Sequence, residues 1–322
     1  MSSSSRSARL ALLLVTAVGL ATAVPAQPLR LNAITPSSRP IANRVVPVVW
    51  VIGQSNACGS SLGYWLNNPF TAGVHRRLAY QAKVRIWWPG GSVSRPQSAP
   101  AWEAYQTGSN AMVNNSSYWI TENRFGTEAS LADGVQSHFG EAWIYKFAMV
   151  SRLDPRSTPT FSRGPTERDG LYGTMMQNWR VAEAHLRAQG LSPSIKGIIW
   201  IQGEGDTRAI GNPDLLLYAR DYAQNLTRFI ADLRNDLAPG RPPIPFVISQ
   251  LHDQHEPRIN WASGEVLVRA AQAQVAAQDP WAALCPVDNI TLNPAGGFVH
   301  FDDQGYVDLG YRLFQTLQPM LR

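Results

Sequence analysis

The run Val45 to Ile52, VVPVVWVI, closed by Gly53, constrains this chain more than any other segment. It is apolar at every position and rich in β-branched residues. A strand with one wet face alternates apolar and polar residues. A strand that is apolar throughout must be covered on both faces, as a central strand of a parallel sheet is. Pro47 has no N–H to offer a ladder, so it must lie near the strand's start. Runs of similar kind follow at Lys83 to Trp87, Trp143 to Val150 (WIYKFAMV), Ile195 to Ile201 (IKGIIWI) and Pro243 to Leu251. Between them lie segments of helical period: Glu128 to His138, Leu171 to Gln189, Asp214 to Leu237 and Glu265 to Gln278, with Asp303 to Leu321 closing the chain. Strands alternating with helices predict an α/β fold, a three-layer α/β/α sandwich with a mainly parallel central sheet and right-handed crossovers. Residues 89–125 read as long loops. No shift in composition divides 45–322, which reads as one domain.

The N-terminus carries a different message. Arg6 and Arg9 precede an apolar run from Leu10 to Val24, which ends in Val24-Pro25-Ala26-Gln27. This is the pattern of a secretory signal peptide over residues 1–26. The run is shorter than the ~20 residues that a membrane span needs. Residues 27–44, rich in Pro, Ser and Arg, read as a leader or linker. The expected location is therefore secreted or periplasmic, with no membrane attachment once the signal is removed. Export permits a disulfide between Cys58 and Cys285, the chain's two cysteines, and equally permits two buried thiols. Asn114, Asn115, Asn225 and Asn289 each open an N-x-Ser/Thr triplet. The formal charge of +5 is carried almost wholly by Arg, with Lys83, Lys146 and Lys196 the only lysines, and no basic run appears. Nucleic acid is not an expected partner.

In parallel sheets, ligands bind outside the carboxyl ends of the strands. The first strand is followed there by Gly53-Gln54-Ser55-Asn56-Ala57, and Ile201 by Gln202-Gly203-Glu204-Gly205-Asp206. Near the C-terminus Gly296-Gly297-Phe298-Val299-His300-Phe301-Asp302-Asp303 leads into the last helix. Serine, histidine and carboxylate are the ingredients of an activated hydroxyl nucleophile: the hydroxyl needs a base, and the imidazolium formed needs an acid to orient it. Singly, each has a plainer reading. A Ser-Asn pair after a strand also makes a turn or a helix cap, and a histidine before a helix is often a capping residue. His252 and His255, in HDQH, have no acid or thiol cluster at a known ligand spacing, so no metal is expected.

Taken together, GQSNA at 53–57, WIQGEGD at 200–206 and VHFDDQGY at 299–306 resemble the SGNH hydrolase superfamily. More narrowly, they resemble its carbohydrate-esterase branch of acetylxylan esterases and sialate O-acetylesterase-like domains, over residues 45–320. The resemblance implies a flavodoxin-like sheet order, Ser55 as nucleophile and His300 as base. It implies an oxyanion hole from the Ser55 N–H, a glycine N–H and the Gln202 side-chain amide. That glycine is expected to be Gly126, because FGTEASLA is similar to the family's Gly-Pro-Glu helix opening with Thr127 in place of Pro; Gly140 is the rival. Many relatives place an Asp three residues before the histidine, where this chain has Gly297. The orienting acid is then expected to be Glu204, with Asp288 second and Asp302 or Asp303 third.

No metal or organic cofactor is implied. The implied substrate is acetylated carbohydrate, acetylated xylan or a related glycan, with one or two of Trp65, Trp87, Trp88 and Trp102 expected to touch it. The competing readings are a non-catalytic glycan-binding protein that retains the fold, and a general short-chain carboxylesterase.

Overall fold

The strands foreseen from apolar runs assemble around the first of them. The structure, a computed structural model, describes residues 44–59, 61–62, 72–89, 99–107, 124–157, 159–165, 170–207, 216–254, 262–294 and 299–321. The expected signal peptide, Trp65, Asn114, Asn115, His255 and Gly297 lie outside the described residues.

Strands β1 (Arg44–Gly53), β3 (Tyr80–Trp88), β4 (Ala101–Gln106), β6 (Ala142–Ala148), β7 (Leu191–Ile201), β8 (Phe246–Ser249) and β9 (Ala282–Cys285) form one sheet in the order β4-β3-β6-β1-β7-β8-β9. Every neighbouring pair is parallel except β3 and β4. Two short strands, β2 (Ser61–Leu62) and β5 (Arg124–Phe125), pair antiparallel apart from it. β1 lies between β6 and β7, and both its faces are covered. Val46, Val48, Trp50 and Ile52 enter one core with helices α4 (Gly170–Ala188), α7 (Tyr222–Leu237) and α8 (Ala262–Gln278). Val49 and Val51 enter the other with α2 (Ala72–Ala79), α3 (Glu128–Phe139) and α9 (Asp303–Leu317). This two-sided burial is why the run is apolar without alternation. Trp50 packs on Tyr145 and Trp179 with ring centroids 4.5 and 5.1 Å away, contacts worth about 0.5–1.5 kcal/mol each beyond area burial. Pro47 precedes Val48, the first residue of β1 to pair with β6, so its missing N–H costs that ladder nothing.

The differences from expectation are local. Ala101–Gln106 is a strand inside the stretch read as loops: AWEAYQ is a partly exposed edge strand with a mixed pattern. β9, AALC, has none of the β-branched residues that mark a strand. The expected helix 214–237 is interrupted at Asp221, separating α6 (Leu216–Arg220) from α7.

Cys58 and Cys285 are both free and buried, so the permitted disulfide is not formed; burial pushes their thiols up to about 12 and about 11. Asn225 is buried against Asp154, which leaves its triplet no room for a glycan. Of the four tryptophans from which one or two substrate contacts were expected, three are described, and they are buried or half-buried against the sheet and its helices. Trp87 donates to Asn178 at 2.6 Å, Trp102 donates to the Ala182 carbonyl at 2.9 Å, and Trp88 is buried. Among the described residues no helix is long and apolar enough to cross a membrane.

Candidate active site

The site begins where β1 stops. Gly53 has φ +144°, and a Cβ there would stand 2.0 Å from the Ile201 carbonyl oxygen, so only glycine lets the chain turn this tightly against the end of β7. The Gln54 N–H closes the turn by donating to the Ile201 carbonyl at 3.0 Å. Ser55 then opens the four-residue helix α1 (Ser55–Cys58). First-turn N–H groups have no carbonyl one turn back inside the helix, so the Ser55 N–H is left for another acceptor. Ser55 is buried, and its hydroxyl makes no hydrogen bond to a described residue.

Asn56 draws the three motif blocks together. Its Nδ2 donates to Glu204 Oε1 at 2.6 Å and to the Val299 carbonyl at 3.0 Å, and its Oδ1 accepts from the Tyr306 hydroxyl at 3.1 Å. Glu204 is the first residue of the short helix α5 (Glu204–Thr207) after β7, and it is buried. Next to it, the Gly205 N–H donates to the Gln54 side-chain oxygen at 3.2 Å. His300 follows Val299 and is half-buried. Its own carbonyl accepts from the Asn293 N–H at 2.8 Å, and Leu292 bridges Phe301. The residues on either side of Ser55 therefore touch the QGE turn, and Asn56 also touches the segment that carries His300.

The other candidate acids are engaged elsewhere. Asp288 grips Arg269 through both oxygens at 2.7 Å, which holds its carboxyl below the usual range. Asp302 caps α9, accepting from the Gly305 N–H and the Thr291 hydroxyl, each at 2.6 Å. Asp303 is the first residue of that helix. Asp288 lies with His252 and Asp253 in a group compact enough for an ion. Its oxygens serve Arg269, however, while the His252 ring accepts from the Gln254 N–H and bonds the Ile290 carbonyl.

Two of the expected oxyanion donors are spent on buried carboxylates. Gln202 Nε2 donates to Asp206 at 2.5 Å and reaches the Ser151 carbonyl at 3.4 Å, and Gln202 Oε1 accepts from Tyr222. The Gly126 N–H donates to Glu128 Oε1 at 2.9 Å. In this arrangement both groups hold the loops in place instead of offering a free N–H. The rival Gly140 caps the C-terminus of α3, just before β6 begins, at the amino end of the sheet's strands. What the sequence reading missed is the segment after β6. The Met149 N–H donates to the Gly53 carbonyl at 2.8 Å, so residues 149–151 run beside the Gly53–Ser55 turn. The Val150 and Ser151 N–H groups make no hydrogen bond to a described residue.

Asp206 is fully buried. It accepts from Gln202 and from the Leu153 N–H at 3.1 Å, yet burial still pushes its carboxyl up to about 7. The folded protein therefore keeps a proton that the unfolded chain has already released. Asp206 thus makes stability fall as pH rises from 3.8 to about 7, with no further change above. Glu265, also raised to about 7 by burial, adds to the same window. Urea unfolding across that range should show the decline in the wild type and a shallower one in Asp206→Asn. Equal slopes would show that Asp206 does not titrate there.

A model of the family described as "carbohydrate esterase, sialic acid-specific acetylesterase" matches residues 153–318, just over half of the chain. No curated protein sequence matches the chain. Among solved structures, a protein of Arabidopsis thaliana superposes with a TM-score of 0.58 at 17% identity, covering 86% of this chain and 99% of that one. NanS superposes with a TM-score of 0.57 at 13% identity, covering 86% and 98%. A carbohydrate acetylesterase from Xanthomonas citri gives 0.51 at 18%, covering 85% of this chain and 56% of that one. At such identities these likenesses show the fold.

Proposed function

The chain belongs to the sialic acid-specific acetylesterase family of carbohydrate esterases, and from that membership we propose that it is an exported serine esterase that removes O-acetyl groups from carbohydrate. The observation that carries this reading is the double contact of Asn56 with Glu204 and with the carbonyl preceding His300, which assembles all three motif blocks around Ser55. In the proposed reaction His300 takes the proton from Ser55 Oγ as that oxygen attacks the acetyl carbonyl. His300 then returns the proton to the departing sugar hydroxyl, leaving acetyl-Ser55. Water, deprotonated by the same ring, attacks the acetyl-enzyme and releases acetate and the free serine. Glu204 is assigned the orientation of His300, because it alone of the candidate acids is both buried and bonded to the Ser55 turn.

The oxyanion is assigned to the Ser55 N–H together with main-chain N–H groups of 150–151. A donor of this kind is worth about 10²–10³ in turnover. Export rests on the leader sequence, with its two arginines before an apolar run and small residues at the cut.

Acetylated xylan or a related glycan is the substrate class that follows from the sequence. One observation favours an acidic sugar within that class. Arg152 Nε donates to the Gly205 carbonyl at 2.9 Å, one residue from Glu204, and the guanidinium lies over the Tyr218 ring at 4.5 Å. Arg152 forms no ion pair among the described residues. A fork held this way by one nitrogen and a ring keeps its remaining donors for a carboxylate. Acetate release from O-acetylated sialic acid, acetylated xylan and 4-nitrophenyl acetate tests both statements. Arg152→Gln should lower kcat/KM on the sialic acid by about 10–100-fold, the value of a charged hydrogen bond, and leave 4-nitrophenyl acetate unchanged. A wild type that prefers xylan, with Arg152→Gln indifferent, would favour the neutral glycan.

A further inference from the structure

Lys146 lies in the middle of β6, and its side chain is 0% exposed. An ammonium inside a parallel sheet is costly unless its hydrogens are matched. Lys146 Nζ donates to Glu128 Oε2 at 2.8 Å and also to the Cys58 carbonyl. Glu128 is equally buried, and its other oxygen accepts from the Gly126 N–H at 2.9 Å and from the Tyr105 hydroxyl at 3.4 Å.

The two outer partners are telling. Cys58 is the last residue of α1, the helix that Ser55 opens. Gly126 directly follows the strand β5, whose Phe125 pairs with Ser61 just beyond that helix. Between them the main chains of Gly59 and Gly126 touch so closely that a Cβ on Gly126 would stand 2.7 Å from the Gly59 Cα. The ion pair thus sits under the junction of the nucleophile helix and the 124–126 segment, bonded to both.

Stability alone is a poor reason to keep such a pair, because well-packed apolar residues of similar volume often serve a fold as well or better. Apolar residues would fill the space, but they would hold neither the Cys58 carbonyl nor the Gly126 N–H. The geometry points to Lys146 and Glu128 as positioning residues of the nucleophile. By anchoring the end of α1 to β6 and to the 124–126 segment, they set where Ser55 and its N–H stand. Neither residue touches substrate. This inference rests on the reading of Ser55 as the nucleophile. Misplacing a reacting atom by about 1 Å costs on the order of 10²-fold in rate, which sets the scale of the effect.

The test uses two double variants of the full chain beside the wild type and Ser55→Ala. Lys146→Met with Glu128→Leu removes both anchors. Lys146→Met with Glu128→Gln keeps a side-chain oxygen for the Gly126 N–H, and remains informative where the first variant does not fold. Near-UV circular dichroism reports the folded state, and hydrolysis of 4-nitrophenyl acetate gives kcat and KM. In folded protein kcat should fall by about 10–100-fold with KM changed by no more than about two-fold, and the Leu variant should lose more than the Gln variant. A merely structural pair would lower the folded fraction and leave the kcat of folded molecules alone. Folded double variants with wild-type kcat would overturn the positioning role while the serine reading stands. A wild type no faster than Ser55→Ala would overturn both.

Discussion

Replacing Ser55 with alanine should lower kcat on 4-nitrophenyl acetate by roughly 10⁵–10⁶-fold, to the residue of rate that binding and main-chain donors supply without a nucleophile. The expectation is large because the thiol on the same helix offers no substitute. Cys58, one turn along, is fully buried with its thiol pushed up to about 12, so it holds its proton at neutral pH. The fold should not suffer. The Ser55 hydroxyl makes no hydrogen bond to a described residue, so its removal strands no partner and should change stability by less than about 1 kcal/mol. Burst and steady-state kinetics, with urea unfolding as a control, check both parts. A variant within ten-fold of wild type, by the same rate arithmetic, would place the chemistry elsewhere.

The second large effect is on stability. Lys146→Met by itself should destabilise the protein by about 3–5 kcal/mol, because it leaves the Glu128 carboxyl inside the core without its cation, with only the Gly126 N–H and the Tyr105 hydroxyl as partners. Adding Glu128→Leu to it should recover most of that loss, since the double variant buries no lone charge. Urea unfolding of the single and double variants forms the cycle that measures this coupling. A single variant that loses less than about 1 kcal/mol would mean that the two charges are not coupled in the core. The stability cycle and the kcat test above read different consequences of the same geometry: one asks what an orphaned charge costs, the other what the anchors do once charge is no longer at issue.

Much of this molecule is legible before its coordinates. VVPVVWVI places β1 at the centre of the sheet because only a strand covered on both faces needs no polar residue. The three blocks GQSNA, WIQGEGD and VHFDDQGY fall at strand ends and before the last helix, where topology alone puts a ligand. The meeting of Asn56 with Glu204 and Val299 follows from that placement.

What stays hidden depends on side-chain direction. Asp206 stands four residues after Gln202, and Glu128 two after Gly126, yet nothing in those spacings says that each carboxylate turns back to take the N–H expected to face an oxyanion. The segment 149–151 carries no residue of unusual chemistry, and its place beside Ser55 comes from β6 being the neighbour of β1. Lys146 did leave a trace: it is one of three lysines in the chain, and it stands inside the run WIYKFAMV, where an unpaired cation could not be accommodated. Trp87 and Trp102 misled because an aromatic residue next to a loop looks the same in sequence whether it meets a sugar or, as here, the face of α4.

The central claim is covalent: Ser55 carries the acetyl group between sugar and water. Rapid mixing of the protein with 4-nitrophenyl acetate, acid quenching, and intact-mass and peptide analysis tests it directly, with Ser55→Ala mixed in parallel. The account predicts a mass gain of one acetyl group on the peptide that contains Ser55, rising and decaying with turnover and absent from the variant. Turnover in the wild type with no acetyl on that peptide, or the same acetylated peptide pattern in Ser55→Ala, would contradict it.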